Sequence, residues 1–253
     1  MSRSRITLIT GANRGLGRSA ALKLAEQGSD LILSYRSHAA EAAAVVADVQ
    51  ALGRRAVALP LDLTDTAGFP TFAAQVRAAL HGHWQREDFD ALVNNAGFGS
   101  HATVHETTTE AFDGLFNVHL KGVFFLTQAL LPLIANGGRI LNVSSGLTRF
   151  AVPGYTAYAA MKGAVEVLTR YLAKELGPRG ITANVIAPGA IETDFGGGAV
   201  RDNAELNRYL AAQTALGRVG QPDDIGEAIA GLLAPGQRWM TAQRVEVSGG
   251  MFL

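Results

Sequence analysis

Along the chain, short apolar runs of strand length repeatedly give way to longer stretches of helical spacing. Residues 6–9 form the first run, and 19–25 follow with apolar positions at helical intervals until Gly28 stops them. A second strand runs from Asp30 through 31–33, and the alanine-rich stretch 39–50 reads as a helix ending near Gly53. Residues 56–61 give a third strand, 72–80 a helix and 91–93 a fourth strand. The stretch 112–134 reads as one long helix. A fifth strand spans 140–145, and a helix over 158–176 is stopped by Gly177-Pro178. Residues 182–187 form a sixth strand, a helix starts at Pro222, and 244–250 supply a seventh strand. Strands alternating with helices throughout predict an α/β protein with a parallel, doubly wound sheet of seven strands flanked by helices. No second domain, linker or repeat beyond this alternation is visible, so 1–253 reads as a single domain.

Composition narrows the class. With 48% hydrophobic and 17% charged residues over 253 positions, the chain is expected to fold as a compact globule with a sizeable core. Lys+Arg and Asp+Glu balance at 22 each, so no global field is expected to recruit nucleic acid or an anionic membrane. The absence of cysteine removes disulfides, thiolate metal sites and cysteine nucleophiles. Met1-Ser-Arg-Ser-Arg5 passes straight into the first strand without a long apolar region, so no signal peptide is expected. No run approaching ~20 apolar residues stands out as a membrane span. A soluble, cytoplasmic protein without a bound metal is the expectation.

Candidate chemistry centres on Tyr158-Ala-Ala-Met-Lys162. Residues four apart stand one turn from each other on a helix. A free phenol, with a pKa of about 10, is a poor base at neutral pH. An ammonium at ~4 Å, at an effective dielectric of ~20, favours the phenolate by roughly 4 kcal/mol and brings it towards operating pH. Tyr and Lys at this spacing are also common on solvated helix faces, but the upstream strand ends in Ser144-Ser145. Its hydroxyls point at the start of the tyrosine's helix, so Ser145 can hold a substrate oxygen while Tyr158 gives or takes its proton. At the other end of the chain, Gly11-x3-Gly15-x-Gly17 joins a strand to a helix, the setting in which a glycine loop cradles phosphate.

Ser145, Tyr158 and Lys162, with the glycine loop and Asn94-Asn95-Ala96-Gly97, resemble the short-chain dehydrogenases/reductases over essentially the whole chain. The likeness extends in general terms to 3-oxoacyl-carrier-protein reductases. It implies a single-domain Rossmann fold, a nicotinamide cofactor and a small-molecule carbonyl or alcohol substrate. It implies catalytic roles for Asn117, Ser145, Tyr158 and Lys162, with Asn117 bending its helix and holding a water near the lysine. Cofactor contacts are implied for Gly11, Asn13, Arg14, Gly15, Leu16 and Gly17, and for Asp62 and Leu63 after the third strand. They are implied also for Asn94, Ala96 and Gly97, for Tyr158 and Lys162, and for Pro188, Gly189, Ile191 and Thr193. Asn94 reads as partly structural, and His119 as structural alone.

The exit of the second strand favours NADP(H). An NAD-binding member carries an acid there for the ribose hydroxyls. Here Ser34-Tyr35-Arg36 stands instead, Asp30 lies at the wrong end of the strand, and no acid follows until Glu41. Arg36 and Arg14 can grip a 2′-phosphate. Residues 194–213, with the triple glycine Gly196-Gly197-Gly198, read as a lid over substrate or a surface insert. Phe98, Leu147, Phe150 and Tyr155 are expected to line an apolar pocket. The resemblance also implies a homodimer or homotetramer pairing 112–134 and 158–176 across a twofold. Rival functions are a lyase or epimerase on the same fold, and a non-catalytic sensor of cofactor ratio, in which the Tyr–Lys pair is usually eroded.

Overall fold

The structure is a computed structural model, and it describes residues 4–253. Seven parallel strands form one sheet in the order β3-β2-β1-β4-β5-β6-β7. They are β1 (Ile6–Ile9), β2 (Asp30–Tyr35), β3 (Ala56–Pro60), β4 (Phe89–Asn94), β5 (Ile134–Val143), β6 (Thr182–Pro188) and β7 (Arg244–Val247). The principal helices are α1 (Gly15–Glu26), α2 (Ala39–Ala51), α3 (Phe69–Trp84), α4 (Thr109–Phe116), α5 (Gly122–Leu130) and α6 (Thr156–Leu176). Three more follow β6: α7 (Ala199–Asp202), α8 (Ala204–Ala212) and α9 (Pro222–Leu232).

The central strands are apolar on both faces because each face meets helices. Ile6, Leu8, Ile32, Leu92 and Ile140 pack with Phe72, Val76 and Leu80 of α3, Leu126 of α5 and Leu172 of α6. Their neighbours Ile9, Leu31, Leu33, Val93 and Leu141 point the other way, onto Leu24 of α1, Val45 of α2 and Ile225 and Ile229 of α9. This period of two places a full hydrophobic layer on either side of the sheet.

The expected long helix over 112–134 forms, running from Thr109 to Leu133 through α4, a π turn at Asn117–Lys121, α5 and a 3-10 turn at Leu131–Leu133 holding Pro132. Ile134 already belongs to β5, which starts six residues before the expected position and absorbs the difference in an irregularity between Phe89 and Ala91 of its neighbour. Apolar spacing continues through Ile134, and only the proline marks the change. By length and composition 109–133 is apolar enough to cross a membrane, contrary to the expectation that no such stretch exists. Leu115, Leu126 and Leu130 are buried within the fold. The seventh strand also ends sooner than expected, at Val247, before left-handed Gly249 and Gly250.

Candidate active site

The parallel sheet brings the exits of its strands to one edge, and the chain switches direction between β1 and β4, where such sheets open a crevice. Thr10 and Asn95 lock that point. Thr10 Oγ1 accepts from Asn95 N and Ala96 N, both at 3.0 Å, while Asn95 Nδ2 donates to the Thr10 and Gly11 carbonyls at 2.9 and 3.1 Å. Gly11 turns there with φ +63°, and a Cβ on it would press to 3.0 Å from Ala96. Helix α1 then begins without a side-chain cap at Arg14 and without an acid in its first turn. Its leading N–H groups and positive dipole end therefore carry no capping carboxylate, which fits a dinucleotide phosphate.

The other expected cofactor contacts gather along this edge. Asn13 Nδ2 donates to Glu41 at 2.8 Å, and Arg14 pairs with Asp194 at 3.6 Å. Arg36 is exposed at the exit of β2, close enough to Asp62 to help hold that carboxyl below its ordinary range. The larger cause is Thr64, whose N–H and hydroxyl both donate to Asp62 Oδ1 at 2.8 Å. Asp62 thus caps the next turn as well as facing the edge. Leu63 turns its side chain into the core. Gly189 N donates to Val247 O at 3.1 Å, Ile191 is bridged to Gly220, and the Thr193 methyl lies 3.9 Å from where a Gly15 Cβ would stand. Gly17 is reserved for packing, since a Cβ there would come 2.3 Å from Gly11 O. Asn94 ties strands together, donating to Asn142 Oδ1 at 2.8 Å and to Thr127 at 3.1 Å.

β5 ends at Val143, short of the expected 145, and Ser145 just beyond it caps a 3-10 turn, its Oγ accepting from Leu147 N at 3.2 Å. Tyr158 and Lys162 lie one turn apart near the start of α6 and are 6% and 5% exposed. Lys162 Nζ donates to Val143 O at 2.7 Å and stands 5.6 Å from the centre of the Tyr158 ring. Burial pushes Lys162 down to about 8. Burial likewise pushes the phenol above its ordinary value, with the Ser145 side chain opposing the shift and Tyr155 adding to it. The expected lowering of the phenol by Lys162 is not what the structure displays, because desolvation of the phenolate dominates. Asn117 opens the π turn, and its carbonyl accepts from Gly122 N. A Cβ on Gly122 would come 2.6 Å from Leu63 O, so the turn presses directly on the exit of β3.

Two neighbours were not assigned to the site from sequence. His119, buried to 1% exposure, sets its ring edge-on to Tyr158 at 5.2 Å and tilted to Phe98 at 5.3 Å. Burial first, then the charge of Lys162, pushes it down to about 3 against the pull of the Phe98 carbonyl, so it is neutral. The Nε2–H donates to Phe98 O at 2.9 Å, leaving Nδ1 buried without a partner. Gly97 lies so close that a Cβ would stand 2.6 Å from His119 Cε1. Glu166, one turn beyond Lys162, accepts from Ser144 and Thr148 hydroxyls at 2.7 Å each and from Arg244 Nε at 2.9 Å. That network braces the strand end carrying Ser145. The repeat of polar residues at 158, 162 and 166 was the available signal.

Beyond β6, Phe195 of the expected lid reaches back to Tyr158, ring to ring at 5.6 Å. Asp194 beside it pairs with both Arg14 and Arg201, and Gly196, Gly197 and Gly198 are all left-handed.

A family model described as Enoyl-(Acyl carrier protein) reductase matches residues 11–252. The hydroxynaphthalene reductase-like protein Arp2 of Metarhizium anisopliae is 35% identical over 259 aligned positions, covering 97% of this chain and 94% of its own. Among solved structures, the promiscuous reductase LugOII, which catalyses a keto-reduction in lugdunomycin biosynthesis, superposes with a TM-score of 0.93. It is 35% identical and covers 99% of both chains. The angucycline C-6 ketoreductase LanV, solved with bound NADP, gives a TM-score of 0.92 at 34% identity, covering 98% of this chain and 95% of its own. Alike in sequence and in fold across nearly its whole length, the chain belongs to the short-chain dehydrogenase/reductase family.

Proposed function

We propose that the protein is an NADP(H)-dependent oxidoreductase that interconverts a carbonyl and a secondary alcohol. The observation that carries this reading is the convergence of Ser145, Tyr158 and Lys162 at the strand edge that also holds the anion-ready glycine loop. The keto-reduction and NADP named for the structural neighbours support it. When bound, NADP(H) supplies a hydride to the carbonyl carbon or takes one from the alcohol. Ser145 Oγ and the Tyr158 hydroxyl donate hydrogen bonds to the carbonyl oxygen, and these strengthen as it gains alkoxide character. Tyr158 passes its proton to that oxygen in reduction and removes it in oxidation. Its raised pKa keeps it protonated at neutral pH, which suits the reductive direction. Lys162 places a buried positive charge under the phenol and offers its ammonium to the nicotinamide ribose. Asn117, at the π turn, relays a proton by way of water. Arg36 and Arg14 receive the 2′-phosphate. Assay of a panel of ketones, aldehydes and an enoyl thioester with both reduced cofactors tests the reading. Carbonyl-dependent consumption of NADPH is expected, and turnover confined to the carbon–carbon double bond would contradict it.

Assembly is part of the proposal. Phe116, Leu120, Phe124 and Phe125 of 112–134 meet Ala164, Val167 and Leu168 of α6 in an open apolar groove. An exposed apolar surface of this kind commonly marks an interface. A self-complementary twofold pairing of the two segments would cover it. Light scattering at micromolar concentration should report a dimer or tetramer, and Phe124→Glu should shift it towards monomer. A monomeric wild type would overturn this part of the proposal.

A further inference from the structure

We infer that Phe98 and Phe195 form an aromatic clamp at the mouth of the site that selects flat, aromatic carbonyl compounds over aliphatic ones. The inference rests on the reductase reading above and specifies its substrate class. Four rings run in series around the proton-transfer group: Phe98 to His119 at 5.3 Å, His119 to Tyr158 at 5.2 Å, and Tyr158 to Phe195 at 5.6 Å. Phe195 then returns to the segment bearing Phe98, because a Cβ on Gly99 would stand 2.7 Å from Phe195 Cε1. The two inner rings are buried, whereas Phe98 and Phe195 are 38% and 40% exposed.

Burial in a core does not account for the outer pair. Neither phenylalanine belongs to either of the helix–sheet cores or to the small cluster around Tyr158. Phe98 sits on the loop after β4 and Phe195 opens a 3-10 turn after β6, where an exposed phenyl ring gains little stability. Two half-exposed rings, Phe195 against the phenol and Phe98 against the His119 ring behind it, offer faces and edges on which a flat ring can stack. His119 is neutral, so this ring of the inner wall brings no charge that would need solvation when such a ring arrives. The consecutive left-handed glycines after Phe195 let that ring be repositioned without disturbing the sheet. An aliphatic ketone gains apolar burial here but not the aromatic pairing.

The test uses the full-length protein, with α-tetralone and cyclohexanone as paired substrates and naphthol as a fluorescent binding probe. Wild type should favour tetralone in kcat/KM and bind naphthol. Phe195→Leu and Phe98→Leu keep apolar bulk but lose the ring. Each should lower the tetralone-to-cyclohexanone ratio by roughly threefold to tenfold and weaken naphthol binding by a similar factor. Phe195→Tyr should retain both. A ratio and a naphthol affinity unchanged in both leucine variants would overturn the clamp while leaving the reductase reading standing. Ring-dependent naphthol binding in a protein that reduces no member of the carbonyl panel would overturn the reductase reading while supporting the clamp.

Discussion

Tyr158→Phe is expected to lower turnover by at least ~10², the usual scale for a general acid–base group, while leaving cofactor binding largely intact. The substitution keeps the ring that packs against His119 and Phe195 and removes only the transferable proton. Lys162→Ala should be at least as damaging, since it removes both the buried charge near the phenol and the proposed ribose contact. The two groups also fix the pH response. Burial holds Lys162 at about 8, below an ordinary lysine, so its charge is present at neutral pH and lost as pH rises past that value. The phenol, raised instead, stays protonated across the same range. Reductive kcat/KM should therefore hold through neutral pH and decline above about 8. Near-normal turnover in purified Tyr158→Phe, with a pH profile like the wild type's, would remove the acid–base assignment.

Arg36→Asp should reverse or erase a preference for NADPH over NADH. A bidentate, charge-assisted contact from guanidinium to the 2′-phosphate is worth about 1.5–3 kcal/mol, or roughly 10- to 100-fold in kcat/KM for NADPH. The introduced carboxylate would also repel that phosphate and offer an acceptor to the ribose hydroxyls of NADH. Asp30 cannot take that role. It is buried at the opposite end of β2, fixed by Trp84 Nε1 at 2.9 Å, Arg54 at 3.0 Å and Ser4 at 2.9 Å. Glu41 comes closer than its place in the sequence suggests, since Asn13 holds it beside the loop, but it is exposed and solvent screens its repulsion. Comparison of kcat/KM for the two cofactors checks the claim, and equal or better use of NADH by wild type would refute it.

Most of the sheet was legible because its central strands are short apolar runs bounded by glycine, proline or polar residues, with recognisable chemistry at several exits. The end of the long helix between β4 and β5 was not. Leu131, Leu133 and Ile134 continue a helical apolar spacing, and what redirects them is Pro132 together with pairing of Ile134 to Phe89. That pairing is a long-range contact which local periodicity does not encode. The Tyr158–Lys162 spacing could be read directly, but the sign of the phenol's shift could not. It depends on burial from several directions, including His119, and not on the lysine alone. Phe98 was expected near substrate from its place after β4, whereas its alignment with His119, Tyr158 and Phe195 required the folded loops.

Transfer of deuterium tests the central claim most directly. NADPH carrying deuterium at both positions of the reactive carbon of its nicotinamide is incubated with a ketone that the protein turns over. The label in the alcohol product and the fall in near-ultraviolet absorbance are then measured together. Hydride transfer predicts one deuteron on the carbinol carbon for each cofactor oxidised, with both signals collapsing in Tyr158→Phe. Product formed without label, or with the cofactor left reduced, would contradict it and point to a lyase or epimerase that regenerates its cofactor.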